Sequence, residues 1–437
     1  MRIRDPAHGT IHVEDDEIAL IDSPFFQRLR FIKQLGFGEM AFPGATHTRH
    51  AHCLGAMYVA TRMFDAAFAK SRIPLAPREL ARMRKAVRIA ALCHDIGHMP
   101  LSHASEKVAP PRRLLELPSW LDRHGAPPDE KAAHEDYTAK VMLGSGFRDL
   151  LEKTLAPYEL SPEAVVSLIL GRAPPQGSAF VCAGHDFAPV LRQFIAGELD
   201  ADRLDYLKRD SLYTGVSYGH ADLDWLIENT MPIEVDSGAV QLGLSTAAIF
   251  AFEDFLLSRF HMFVSVYFHH TSVNFDAMLA GYLTEAGDEF RIPTDMDEFA
   301  ACDDVALFHA LRQSSNRWAR RIVRREPYRL VVQATEMDKG YDVAFLARLL
   351  EDAGVDFFVR ESVGLLSKQR GLSSIPLQVV DLHANIVTPI ADYTPLYRRY
   401  AGALHFKRIY CAPQDTERAK AIIASAIHVP RQLNFPI

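Results

Sequence analysis

The chain has 437 residues, more than one compact core commonly organises, so a main domain with a smaller appendage is expected. Its 48% hydrophobic and 24% charged residues are those of an ordinary globular protein, and the net charge of -7 argues against a dedicated nucleic-acid binder. Five scattered cysteines, odd in number and with no C-x-x-C pair, exclude a disulfide frame or a zinc knuckle and read as reduced cytoplasmic thiols. No apolar run follows Met1-Arg2-Ile3-Arg4, so no signal peptide is expected. The apolar stretch 247–257 is interrupted by Glu253 and Asp254, which excludes a membrane span.

In chain order, residues 1–14 alternate and turn at Asp5-Pro6 and His8-Gly9, which predicts a hairpin. Asp22-Ser23-Pro24 reads as a helix cap leading into a helix over 25–35. Helical spacing marks 52–70 and 78–99, whereas the five prolines within 105–130 predict a loop or lid. Helices are expected again over 133–143, 161–170, 187–213, 247–285 and 304–325, with a hairpin at 231–245. Beyond about residue 327 short β-rich runs (328–335, 355–360, 376–382, 406–411) alternate with helical ones (341–353, 415–427). The expectation is a mainly α body over 1–326, with short β-hairpins, and a small α+β region over 327–437.

Nineteen histidines, ten of them before residue 135, draw attention to Leu92-Cys93-His94-Asp95-Ile96-Gly97-His98 at the end of a predicted helix. At helical spacing His94 and His98 share a face, and imidazole with carboxylate suits a divalent transition metal. The dipeptide alone is weak evidence, since His185-Asp186 is a second such pair. Upstream lies His47-Thr48-Arg49-His50-Ala51-His52, and downstream Asp202-Arg203-Leu204-Asp205-Tyr206. A histidine, a His-Asp pair and a distant helical aspartate can build a four-ligand site with positions left open, as a catalytic metal needs.

The order His, His-Asp, Asp resembles the HD-domain phosphohydrolases. Asp22-Ser23-Pro24-Phe25-Phe26-Gln27-Arg28-Leu29-Arg30, Lys33-Gln34-Leu35-Gly36, Pro43-Gly44-Ala45, His94 through His103, and Asp202 through Tyr206 narrow the resemblance. Together they look like the deoxynucleoside triphosphate triphosphohydrolases, over residues 1–330 or so. The match begins at the first residues, so no counterpart of the sterile-alpha-motif domain of the vertebrate enzyme is expected. The resemblance implies an all-helical HD domain with metal ligands His52, His94, Asp95 and Asp202. His47 and His50 compete for the first place and otherwise read as phosphate or surface histidines. It makes His134 the catalytic histidine, with Glu106 where the family commonly has aspartate. It assigns Arg49, His98, His103, Arg203, Tyr206 and Arg259 to the phosphates, with arginine at 203 in place of a lysine. Gln34 and Asp210 would hold the sugar 3′-hydroxyl, while Leu35, on the early helix, and Tyr267 crowd the 2′ position.

The implied reaction is attack of water on the α-phosphorus, releasing nucleoside and inorganic triphosphate, with the metal activating the water. Manganese, iron, zinc and nickel suit the ligand set equally, and magnesium could accompany the phosphates. Asp22, Gln27, Arg30, Arg325 and Arg329 match positions that hold a regulatory guanine nucleotide or effector phosphates. A homodimer or homotetramer is therefore expected, as is a nucleotide activator. Read from the residues alone, Asp22 and Arg30 are equally a helix cap and a salt bridge, and the arginines from 317 to 329 a solvated face. Two other functions stay open: hydrolysis of dinucleoside polyphosphates or signalling nucleotides, and a nucleotide- or nucleic-acid-binding regulator. Nucleic acid is not expected as the main ligand.

Overall fold

A computed structural model describes residues 1–426 except 124, 236, 336–337, 339–341, 366, 368–374 and 401. Strands β1 (Arg2–Asp5) and β2 (Gly9–His12) form the expected hairpin, with Ile3 opposite Ile11. Asp5 closes its turn by accepting from the amides of Ala7 and His8, both at 2.9 Å. Helix α1 (Arg49–Phe68) runs through the middle of the body, buried on nearly every side. Helix α2 (Pro77–Cys93) packs along it, opening on a proline whose missing N–H costs nothing in a first turn. Helices α3 (His134–Gly144), α4 (Ala188–Ala196) and α5 (Ala201–Thr214) complete the frame around one hydrophobic core. Asp200 caps α5 by accepting from the Arg203 amide at 2.8 Å, and Gly215, at φ 75°, ends it.

Strands β3 (Thr230–Glu234) and β4 (Val240–Ser245) pair as expected. Helix α6 (Ile249–Met262) continues as a π-helical turn over Phe263–Tyr267, breaks at Phe268 and His269, and resumes as α7 (His270–Glu285). Helices α8 (Asp304–Gln313) and α9 (Arg317–Arg324) follow. Next come β5 (Arg329–Thr335), α10 (Val343–Asp352) and β6 (Phe357–Leu365). Strands β7 (Gln378–Asp381), β8 (Ile386–Pro389) and β9 (Ala403–Cys411) and helix α11 (Thr416–Ala426) lie beyond them. The antiparallel order β5-β9-β6 makes a three-stranded sheet, cored with α10 and α11 by Val332, Leu346, Leu350 and Ile409. The protein is thus a mainly helical body with a small C-terminal α+β part.

Several expected elements take a different form. The early helix spans only Pro24–Arg28 and a 3-10 turn Leu29–Phe31. Ile32 then extends, Lys33 bridges Thr48 and the Gln34 amide donates to His47 O at 3.0 Å, so Gln34 and Leu35 sit in a turn. Helix α2 stops at Cys93, leaving His94–His98 in turns rather than on a helical face. The spans 187–213, 247–285 and 304–325 are each two helices. A helix Phe147–Leu155, not expected from the sequence, buries Phe147, Leu151 and Leu155 at intervals of four. Segment 376–400 does not stay with the C-terminal sheet. Strand β7 runs parallel to β4 in the order β8-β7-β4-β3, and Leu377, Val379, Ile390 and Tyr397 enter the main core. A division at residue 327 therefore stands as a proposal for the three-stranded sheet and its helices, not for residues 376–400.

Helices α1 and α5 approach closely because Gly55 lacks a Cβ. One placed there would lie 1.9 Å from Asp205 Oδ1 and 2.3 Å from Arg209 Nη2. Gly55→Ala is expected to destabilise the fold by about 3 kcal/mol. A thermal melt that matches the wild type would show that the two helices are not in this contact.

Candidate active site

Three side chains from three elements meet between α1, the end of α2 and α5. His52 Nε2 lies 3.1 Å from Asp202 Oδ1 and 3.3 Å from His94 Nε2, and His94 Nε2 lies 3.5 Å from the same aspartate oxygen. The tautomers are set from behind. His52 Nδ1 donates to Asp205 at 2.7 Å and His94 Nδ1 donates to Ala91 O at 2.8 Å, so both Nε2 lone pairs face the cluster. Asp95 stands 3.4 Å from His94 Nε2 and 3.5 Å from His52 Nε2, with its Oδ2 ion-paired to Arg49. Asp202 faces the two imidazoles, and no Lys or Arg among the described residues is ion-paired to it. Burial opposes protonation of His52, yet Asp202, Asp205 and Asp95 push it up to about 10, and His94 is raised likewise. A divalent cation would displace those protons, so the donor set fits one.

Asp205 is the residue that the sequence offered without a role. It lies three positions after Asp202 and is fully buried. Its carboxylate also accepts from His8 Nε2 at 2.7 Å and from Arg209 at 2.8 and 2.9 Å. Arg209 reaches on to Asp5 at 2.7 Å. The spacing of Asp202, Asp205 and Arg209, together with His8 beyond the Asp5 turn, was the available signal.

A second group adjoins the first through Asp95. His98 Nε2 is 3.3 Å from Asp95 Oδ1, and its ring stacks on His134 at 3.9 Å between centroids. His134 Nδ1 donates to Glu106 at 2.6 Å, and the exposed His103 shares that oxygen at 3.1 Å. Burial works against charging His134, but Glu135 and Glu106 raise it to about 9. Gly97 makes room for His134, since a Cβ there would lie 2.3 Å from His134 O and 2.1 Å from the Thr138 amide. The chain then passes through Leu101 and Ser102 at φ 54° and 57°, strained positions for residues with side chains. Buried Asp304 holds this turn by accepting from the amides of Leu101 and Lys33, and Ser102 Oγ accepts from Arg49 Nε at 3.0 Å.

On α5, Arg203 donates to Gly197 O at 2.6 Å and stands 3.8 Å from Glu198. Arg259 of α6 lies 3.8 Å from the same carboxylate, wholly buried, and among the described residues its Nε and Nη1 have no hydrogen-bond partner. Tyr206 is pushed up to about 12 by burial, against the pull of both arginines. One turn further, Asp210 accepts from the Tyr267 hydroxyl at 2.8 Å and pairs with His47 Nε2 at 2.7 Å. Gln34 is buried with an unpartnered Oε1, and Leu35 is half-buried. His47 therefore serves Asp210 and does not join the cluster. His50, edge-on to Phe26, is held down to about 4 by burial and the Arg30 charge. Neither is a surface histidine, both being about 95% buried, because α1 is enclosed where its sequence reads polar.

The five regulatory candidates do not converge as one set. Arg30 donates to Gln27, which donates to Ile21 O, while Asp22 is exposed at the end of the preceding turn. Asp22 and Arg30 do not form the ion pair that the sequence allowed. Arg325, at φ 55°, donates to Met40 O, and Arg329 is exposed at the start of β5. Of the five, only Arg30 lines a cavity of about 420 Å³ that it shares with Lys33, Phe308 and Arg312.

Asp205→Asn should leave the fold in place but weaken metal retention by about 10–100-fold, the usual scale for a residue orienting a ligating histidine. Chelator competition measures it. Unchanged retention would show that His52 is oriented by something else.

Residues 49–210 match the family model described as HD domain, and 222–347 match the HD associated region. The uncharacterized protein YwfO of Bacillus subtilis is 34% identical over 284 residues, 65% of this chain and 55% of its own. The deoxynucleoside triphosphate triphosphohydrolase SAMHD1 homolog of Dictyostelium discoideum is 31% identical over 300 residues, 68% of this chain and 51% of its own. The chain thus spans about half the length of these two relatives. A crystal structure of a hypothetical protein from Aquifex aeolicus shares the fold, with a TM-score of 0.74 at 24% identity over 97% of this chain and 99% of that one. With the HD domain enclosing His52, His94, Asp95 and Asp202 and its associated region following, the chain belongs to the HD-domain phosphohydrolase family.

Proposed function

We propose that the protein hydrolyses deoxynucleoside triphosphates to deoxynucleoside and inorganic triphosphate, using a divalent metal held by His52, His94, Asp95 and Asp202. One observation carries the polyanionic substrate: Arg259 is buried beside Arg203 and Tyr206, its Nε and Nη1 have no hydrogen-bond partner among the described residues, and Glu198 approaches it only to 3.8 Å. A buried cation with open donors calls for an anion. The bound metal supplies Lewis acidity toward a phosphoryl oxygen and lowers the pKa of water.

The chain's own residues do the rest. Arg49, Arg203, Arg259 and Tyr206 hold the phosphate oxygens, joined by His98 and the exposed His103. His134 stays doubly protonated at neutral pH because Glu135 and Glu106 favour its charged form; the Nδ1 proton remains hydrogen-bonded to Glu106 and the Nε2 proton can pass to the leaving oxygen. Gln34 and Asp210 take the 3′-hydroxyl, while Leu35 and Tyr267 close the space at the 2′ carbon. Arg30, Gln27 and Asp22, with Arg325 and Arg329, are proposed to bind an activating nucleotide between subunits of a homodimer or homotetramer. The cavity at Arg30, where Lys33 and Arg312 stand with Glu39 and Asp304, supports that reading. No described helix is long and apolar enough to cross a membrane.

The substrate test is a panel of a dNTP, the matching NTP and a diadenosine polyphosphate, read by product identity. A preference for the dNTP of roughly a hundredfold is expected, with triphosphate as a product and with Tyr267→Ala eroding the preference. Faster turnover of the ribonucleotides would replace this reading with dinucleoside polyphosphate hydrolysis.

The acid role has its own check. His134→Ala should lower kcat by about a hundredfold or more with metal retained. In wild-type protein the protonated acid is lost only as pH rises toward about 9. Glu106→Gln removes one of the groups that raise His134, so the alkaline fall in rate should move to lower pH. An unmoved alkaline limb would take Glu106 out of this role.

A further inference from the structure

The break between α6 and α7 lies beside Tyr267, and the C-terminal sheet holds it. The last α6 turn widens into the π-helical Phe263–Tyr267, after which Phe268 and His269 leave helical geometry. Such a break frees backbone carbonyls that need donors. One comes from β9: Arg408 Nη2 donates to Phe268 O at 2.8 Å, while the Tyr410 hydroxyl, from the same strand, donates to His270 O in the first turn of α7 at 3.0 Å. Both side chains are buried.

Arg408 is an expensive way to fill a sheet face. Among the described residues its other acceptors are neutral: Gln333 Oε1 at 2.8 Å and Ser362 Oγ at 3.4 Å. A buried guanidinium without a carboxylate adds less stability than an apolar side chain of its size. What it adds is a fixed fork that aims one donor at Phe268 O. Packing follows the same line. Rings at Phe406, Phe268, Phe263, Tyr267 and Tyr206 succeed one another at 5.9, 5.6, 5.1 and 5.9 Å, from the sheet to the helix that bears Asp202. Gly364 of β6 admits this row, since a Cβ there would lie 2.7 Å from the Phe268 ring.

We propose that Arg408 is a positioning residue for the nucleotide site. By gripping Phe268 O it sets the helix break, and the break sets where Tyr267 meets Asp210. The C-terminal sheet is then a wall of the substrate pocket at one remove. The inference rests on the reading of Tyr267 as a pocket residue.

The test compares Arg408→Gln, Arg408→Lys and Tyr410→Phe by hydrogen exchange at amides 263–274 and by kcat and KM for the nucleotide the wild type turns over. Arg408→Gln should speed exchange across the break and raise KM by about tenfold, with kcat nearly unchanged, since a displaced side chain loosens binding geometry. Arg408→Lys, which keeps a donor for Phe268 O, should restore most of both. Unchanged exchange in Arg408→Gln overturns the proposal, as does faster exchange with wild-type KM. If Arg408→Gln does not fold, Tyr410→Phe answers by the same two readouts in the same sense. If wild-type protein hydrolyses no nucleotide, the substrate reading fails; exchange then decides separately whether Arg408 holds the break.

Discussion

Asp205 is the carboxylate on which the site depends. It lies fully buried on α5, accepts from His52, His8 and Arg209, and is tied through Arg209 to Asp5. An uncompensated charge at that depth would cost several kcal/mol. The network neutralises it by joining the N-terminal hairpin, α1 and α5 at one point. Removing any partner strands a charge, so the hairpin at the edge of the chain is bound to the geometry of His52. Gly55 is the steric condition for the arrangement, because the carboxylate occupies the space of its missing side chain.

The turn after α2 sorts the histidines into two groups. His94, still close to helical geometry at φ -56° and ψ -34°, turns toward His52 and Asp202, and His98 turns toward Asp95 and His134. A helix continued through His98 would have put both on one face. The turn is held open at some cost. Leu101 and Ser102 adopt left-handed backbone, and Asp304 from a distant helix accepts from the Leu101 amide and from that of Lys33 in the neighbouring segment. Strain of this kind persists only where surrounding contacts over-determine it.

Charge is arranged differently on either side of Asp202. Toward His52 and His94 there is an excess of carboxylate that asks for a cation. Toward Arg203 and Arg259 two guanidiniums meet two carboxylates at loose distances, Glu198 at 3.8 Å from each and Asp200 at 3.9 Å from Arg203. Glu198 is itself reached by Ser367 of the C-terminal part at 2.8 Å. Among the described residues the C-terminal part thus reaches Glu198 through Ser367 and the α6–α7 break through Arg408 and Tyr410.

What the sequence by itself determined is the chemistry and the local order: the histidine, His-Asp and aspartate strings, the first hairpin, the helices α1 to α3, and the change of texture after residue 327. These are legible because they depend on residue type and short-range periodicity. His52, His94 and Asp202 converge as their strings implied. Tertiary structure alone decided which neighbours they have. His47 and His50 read as candidates for the same post as His52, and only the enclosure of α1 sends one to Asp210 and the other to Phe26. The early helix stops short at Phe31 because Lys33 and Gln34 find strand-like partners at 47–48, fifteen residues away. Segment 376–400 reads as part of the appendage, yet β7 finds its partner in β4, more than a hundred residues earlier. Periodicity records what a residue prefers among its near neighbours; it carries no term for a buried charge or an open strand edge satisfied from across the fold.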